Sequence, residues 1–120
     1  MATNPNEPAL EIEPEVFFQA DLRVGVVHHA ELLAEARIPA YRLEIDFGPL
    51  GIKRSSAQLT RRYEVTDLIG RRIVAVVNFP PRRIAGFKSE VLVLGAVPND
   101  GDVSLLSVDH EDIPPGTRIA

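Results

Sequence analysis

From Tyr41 to Phe47 every second side chain is apolar: Tyr41, Leu43, Ile45 and Phe47 alternate with Arg42, Glu44 and Asp46. Successive side chains of a strand point to opposite faces, so this period of two fits a sheet with one face on a core and one in water. Leu22, Val24 and Val26 alternate in the same way with Arg23, Gly25 and Val27, giving a second half-buried strand. Gly48-Pro49-Leu50-Gly51 then reads as a turn, followed by a strand from Ile52 to Gln58. Two later segments differ in kind. Ile73 to Val77 and Val91 to Leu94 are apolar at both parities, so both faces of each are expected to be buried. A small barrel buries only the inner face of its strands, and the chain offers little to cover the outer one. A homodimer interface is the expected cover, ahead of the N-terminal segment.

The remaining punctuation fits the same frame. Glu15 to Ala20 suits a short helical turn that lays Val16, Phe17 and Phe18 over one end of the core. Thr60 to Ile69 suits a loop and a short helix ending at Gly70, and Pro98-Asn99-Asp100-Gly101 suits a hairpin turn leading to a last strand near Val103–Val108. Five or six short strands with so little helix point to a closed all-β barrel. Residues 1–14, with three prolines and three glutamates, read as a flexible acidic arm, leaving 15–120 as one domain.

The chemistry the chain lacks narrows its function. It has no cysteine, which excludes disulfides, thiolate metal sites and thiol nucleophiles. His28 and His29 are neighbours on a strand and are expected to face opposite ways, so they cannot share a metal. Asp109-His110-Glu111-Asp112 reads as a solvated turn. Ser55 and Ser56 lack the Gly-x-Ser-x-Gly surroundings of a strained nucleophile, and no phosphate-cradling glycine loop is present. A non-catalytic protein with no cofactor and no metal is expected. No apolar run is long enough to span a bilayer and no secretory signal opens the chain, so a cytoplasmic location without membrane insertion is expected.

The binding signal is stronger. The formal net charge is −4, yet Lys53, Arg54, Arg61, Arg62, Arg71, Arg72, Arg82, Arg83 and Lys88 face only Glu64 and Asp67 within their stretch. A local basic surface can bind phosphates even on an acidic protein, the alternative being a solvated face of ordinary surface arginines. Asn78-Phe79-Pro80-Pro81-Arg82-Arg83-Ile84-Ala85-Gly86-Phe87-Lys88-Ser89-Glu90 joins the two doubly apolar segments. Its paired prolines stiffen it, three charges project from it, and Phe79 and Phe87 are expected either to anchor a ligand or to plug the barrel. Lys53-Arg54-Ser55-Ser56-Ala57-Gln58 adds hydroxyls, an amide and positive charge, suited to phosphate or to a peptide backbone.

The order of Asp21-Leu22-Arg23-Val24-Gly25, Lys53-Arg54-Ser55-Ser56-Ala57-Gln58 and the Asn78–Glu90 segment resembles the tRNA-binding OB-fold family. Within it, the string from Asn78 through Val91-Leu92-Val93-Leu94-Gly95 is similar to the CsaA subgroup of export-related chaperones, and the likeness spans residues 16–120. The resemblance implies an all-β, five-stranded OB-fold barrel with a short N-terminal helix and a short helix between strands. It implies a homodimer that holds unfolded or pre-export polypeptides, and as the alternative a structure-specific tRNA-binding protein using the same surface. In that reading client side chains enter a pocket near Phe79 and Phe87. Lys53, Arg54, Ser55, Ser56, Gln58, Asn78, Ser89 and Glu90 supply polar contacts, and Arg82, Arg83 and Lys88 line the mouth, favouring acidic groups or tRNA phosphates. Where tRNA-binding relatives carry Gly-Met after the Ser-Glu pair, this chain has Val91-Leu92.

Overall fold

The alternating segment forms β2 (Tyr41–Asp46) in the computed structural model, which describes residues 6–120. Tyr41, Leu43 and Ile45 are buried, and Arg42, Glu44 and Asp46 lie on the other face. β2 pairs antiparallel with β1 (Leu22–Leu32) on one side and β3 (Ile52–Ala57) on the other. A 3-10 turn at Gly48–Leu50 joins β2 to β3, as the Gly-Pro-Leu-Gly string implies. On its other edge β1 pairs with β4 (Arg72–Val76), which pairs in turn with β7 (Leu92–Val93). The sheet therefore runs β3-β2-β1-β4-β7. It curls until β3 meets the segment leading into β7, where the Glu90 amide donates to the Arg54 carbonyl at 2.7 Å. This nearly closed five-stranded barrel, with helices α1 (Pro14–Phe18) and α2 (Val65–Leu68), is the expected OB-type architecture.

The curl is made possible inside β1. The register places Gly25 opposite Ile73, on the inner face. A Cβ there would stand 2.5 Å from Ile45 Cγ2 and 2.7 Å from Phe47 Cε1, so only glycine lets Phe47 fill the barrel. Two residues later the pairing with β2 slips between Val27 and His29. The bulge breaks the alternation, leaving Val27 and Ala30 buried and both His28 and His29 exposed, rather than on opposite faces as the strand period implied. The inner core comprises Val27, Tyr41, Leu43, Ile45, Phe47, Leu59, Leu68, Ile73 and their neighbours.

The outer face of β4 is covered within the chain. Val74 and Val76 pack with Leu22, Ala20, Leu94 and Ile119. Ile119 belongs to β10 (Arg118–Ile119), a two-residue strand that takes up the edge of β1 where β2 departs. The burial of Ile73 to Val76 on both faces thus needs no second copy. Two expectations are corrected. Leu92 is 49% exposed, because it pairs with Val76 in the sheet but lies outside the cluster that covers Val74 and Val76. Val16, Phe17 and Phe18 are also about half exposed, since α1 has no buried position and only Ala20 beyond it reaches the outer cluster. Of the expected N-terminal arm 1–14, residues 1–5 lie outside the described residues, and 6–14 are exposed.

Candidate functional site

The Asn78–Glu90 segment, expected as a loop, is largely a hairpin: β5 (Arg82–Ile84) pairs with β6 (Phe87–Ser89). Ala85 and Gly86 form its two-residue turn with φ of 49° and 79°. Positive φ at both positions matches the turn twist to that of the strands. The base of the hairpin is bolted to β3, for the Ser56 amide donates to Ser89 Oγ at 3.0 Å and the Arg54 amide donates to Glu90 Oε1 at 3.4 Å. A short hairpin β8–β9 (Gly95–Ala96 with Ser104–Leu105) follows, turned by Pro98–Gly101 as the sequence implies.

The β5–β6 hairpin divides the surface that the sequence treated as one. On one side lies an open groove of ≈ 680 Å³. Ile38, Ala40, Ala57, Leu59, Ile84, Leu92, Val93, Val103 and Leu105 give it an apolar bed. Ser56, Gln58, Arg82, Arg83, Glu35 and Arg37 supply its polar parts. On the other side lies a smaller cleft of ≈ 300 Å³, lined by Leu33, Glu35, Arg42, Arg54, Arg83, Gly86, Phe87 and Lys88. Glu35, Arg83 and Ala85 border both.

The expected site residues fall into three sets. Ser56, Gln58, Arg82 and Arg83 line the groove, and Arg54, Arg83, Phe87 and Lys88 line the cleft. The rest line neither cavity. Ser55 is fully buried and its hydroxyl donates to the Val91 carbonyl at 3.1 Å. Asn78 Oδ1 accepts from the Asp21 amide and its Nδ2 donates to the Gln19 carbonyl, both at 2.8 Å. Ser89 and Glu90 hold the hairpin to β3, and Lys53, opposite Ile45 in register, lines neither cavity. The phenylalanines part company. Phe79 stays half exposed, while Phe87 is buried with the Arg42 and Arg54 guanidinium carbons each 5.0 Å from its ring centroid. Ile38, Leu92, Val103 and Leu105 on the groove, and Arg42 on the cleft, were not marked by sequence reasoning. They come from four separate stretches of the chain, Val103 and Leu105 sharing one, and only the outward parity of Arg42 on β2 gave any sign.

Near the base of the barrel Arg23 donates to Asp21 Oδ1 at 2.6 Å, which holds the Asp21 carboxyl below its ordinary range and raises Arg23. Burial raises the Tyr41 hydroxyl, which donates to the Tyr63 carbonyl, and the nearby Glu64 and Asp67 charges add to the shift. Neither group lines either cavity. Among the described residues no cluster of three or more His, Cys, Asp or Glu is placed to hold a metal ion, and no helix is long and apolar enough to cross a membrane.

Residues 22–118 match the family described as "Putative tRNA binding domain". The chain is 37% identical over 108 residues to a methionine–tRNA ligase of Bdellovibrio bacteriovorus, covering 90% of this chain but only 15% of the ligase. A methionine–tRNA ligase of Methanococcus vannielii is 35% identical, with 90% and 16% covered. Among solved structures, the chaperone CsaA of Bacillus anthracis is 62% identical with a TM-score of 0.88. The CsaA chaperone protein of Picrophilus torridus is 49% identical with a TM-score of 0.85. Both alignments cover 92% of this chain and 100% of the other. A fold closed from β3 to β7, an intact match across nearly all of it and full-length overlap with two CsaA structures lead to one conclusion: the chain belongs to the tRNA-binding-domain family, in its CsaA group.

Proposed function

We propose that this protein is a non-catalytic chaperone that holds unfolded or pre-export polypeptide segments as a cytoplasmic homodimer. The groove beside the hairpin carries the reading. Its bed of Ile38, Ile84, Leu92, Val93 and Leu105 offers apolar side chains a place out of water, where each large aliphatic group gains about 1.5–3 kcal/mol on full burial. Ser56 and Gln58 at its wall suit the amide groups of an extended backbone. The likeness to two chaperone structures supports the same reading. Holding is passive: client segments enter and leave with their own affinity.

The second reading is tRNA binding, favoured by the family match and by the basic residues around the hairpin. Salt separates the two, since every phosphate neutralised contributes about one unit of log–log salt slope to a nucleic-acid complex, whereas apolar contacts respond weakly. Purified protein is titrated with a labelled unfolded polypeptide and with labelled tRNA at low and physiological salt. The polypeptide is expected to bind at both, and Leu92→Ser to weaken it about tenfold with the fold intact. Tight tRNA binding at physiological salt without polypeptide binding overturns the chaperone reading in favour of tRNA.

A further inference from the structure

The cleft on the far side of the hairpin is lined by Arg42, Arg54, Arg83 and Lys88 against one carboxylate, Glu35, with Glu31 and Glu44 beside Arg42 and Arg54. Arg42 and Arg54 project from the same face of β2 and β3 and share the Phe87 ring, while Arg83 and Lys88 reach in from the hairpin. Of these four, only Arg42 has a carboxylate partner among the described residues, Glu31 Oε1 at 2.9 Å. Glu44, opposite Arg54 in register, makes no ion pair with it, Glu35 lines the cleft, and the Glu90 carboxylate accepts from the Arg54 amide. Arg54, Arg83 and Lys88, none of them in an ion pair among the described residues, leave the lining net positive, and an anion seated among them gains charge-assisted hydrogen bonds.

We propose that this cleft is a carboxylate-binding subsite, which selects polypeptide segments carrying Asp or Glu a few residues from an apolar stretch. The inference rests on the polypeptide-holding reading of the groove. Glu35, Arg83 and Ala85 border both cavities, so a chain lying in the groove passes into the cleft around the hairpin tip. Crossing a two-stranded ribbon takes ~10 Å, about three residues of extended chain. A nucleic acid fits the pair of cavities less well. It has no aliphatic groups for the apolar bed, and Phe87, the ring that a base would stack on, is buried beneath the two arginines. A compact anion tethered to apolar side chains matches both halves.

The test uses the full-length protein and two unstructured, fluorescently labelled peptides, each with an apolar triplet followed after three residues by either Glu or Gln. Binding is measured at physiological salt to the wild type, to Lys88→Gln and to the Arg54→Gln/Lys88→Gln double variant, whose melting curves report folding. The wild type is expected to prefer the Glu peptide about tenfold, and the double variant to bind both within about twofold at unchanged Gln-peptide affinity. Lys88 is exposed, so its single variant, expected to lose part of the preference, keeps the test valid if the double variant melts early. Equal binding of both peptides to the wild type overturns the subsite and leaves the groove reading standing. A preference that survives in the double variant also overturns it. Binding of neither peptide overturns both readings, and stronger competition by a short single-stranded oligonucleotide than by the Glu peptide reassigns the cleft to phosphates.

Discussion

Ser55 carries its hydroxyl into a position with no solvent exposure, between β3 and the Val91 carbonyl. Ser55→Ala leaves that carbonyl without its side-chain donor at the seam of the barrel, and is expected to cost about 1–2 kcal/mol. Urea unfolding measures the loss, and polypeptide affinity under folding conditions is expected to stay unchanged, because the hydroxyl touches no cavity. A change in affinity without a change in stability would instead place Ser55 in contact with the ligand. The same residue shows what sequence can say about a binding site. Ser55, Ser56 and Asn78 are chemically alike as hydrogen-bonding side chains, and one sequence reading assigned them one role. Exposure separates them: Ser56 reaches the groove, Ser55 closes the barrel, and both ends of the Asn78 amide clamp the chain around Asp21. Side-chain chemistry is written in the sequence, whereas solvent access is a property of the assembled surface.

Among the elements, the hairpin β5–β6 does most to shape the site, since it separates groove from cleft. Its turn is strained at Ala85, whose φ of 49° lies in the left-handed region that costs a residue with a Cβ about 1 kcal/mol. Asn tolerates that region and is favoured before Gly in such turns, so Ala85→Asn is expected to stabilise the protein by about 0.5 kcal/mol, read as a higher melting temperature. A lower one would show that the Ala85 methyl makes packing contacts worth more than the relief. The hairpin was not legible beforehand because Pro80-Pro81 and the run of charges read as loop, and Ala85-Gly86 lacks the Asn or Asp that signals such a turn. β2 was legible for the opposite reason: six residues with one buried face leave a period of two in the sequence. β1 lies between these cases, its period visible but its faces reversed at Gly25 and broken at the bulge, where packing against Phe47 decides.

At the scale of the molecule, apolar surface remains after the barrel has closed. Val16, Phe17 and Phe18 stand half exposed on α1, with the two rings edge to face at 5.3 Å, and Leu92, Val97 and Leu106 are exposed elsewhere. Exposed apolar groups gathered on one short helix mark a contact surface, and the proposed homodimer supplies the partner. Light scattering at micromolar concentration is expected to give twice the 13.2 kDa chain mass, and the Phe17→Ser/Phe18→Ser double variant to shift toward one chain. A wild-type monomer under these conditions removes the dimer. One feature of the fold also governs how the molecule comes into being. Leu22 and Arg23 pair with Ile119 and Arg118, and Arg23 donates to the Gly116 carbonyl, so the first strand is completed by residues far along the chain from it. During synthesis on a ribosome, β1 must wait for the C-terminal segment to leave the exit tunnel before its edge is satisfied. The barrel thus stays unsealed along this edge until residues near 118 have been made, however early the other strands pair.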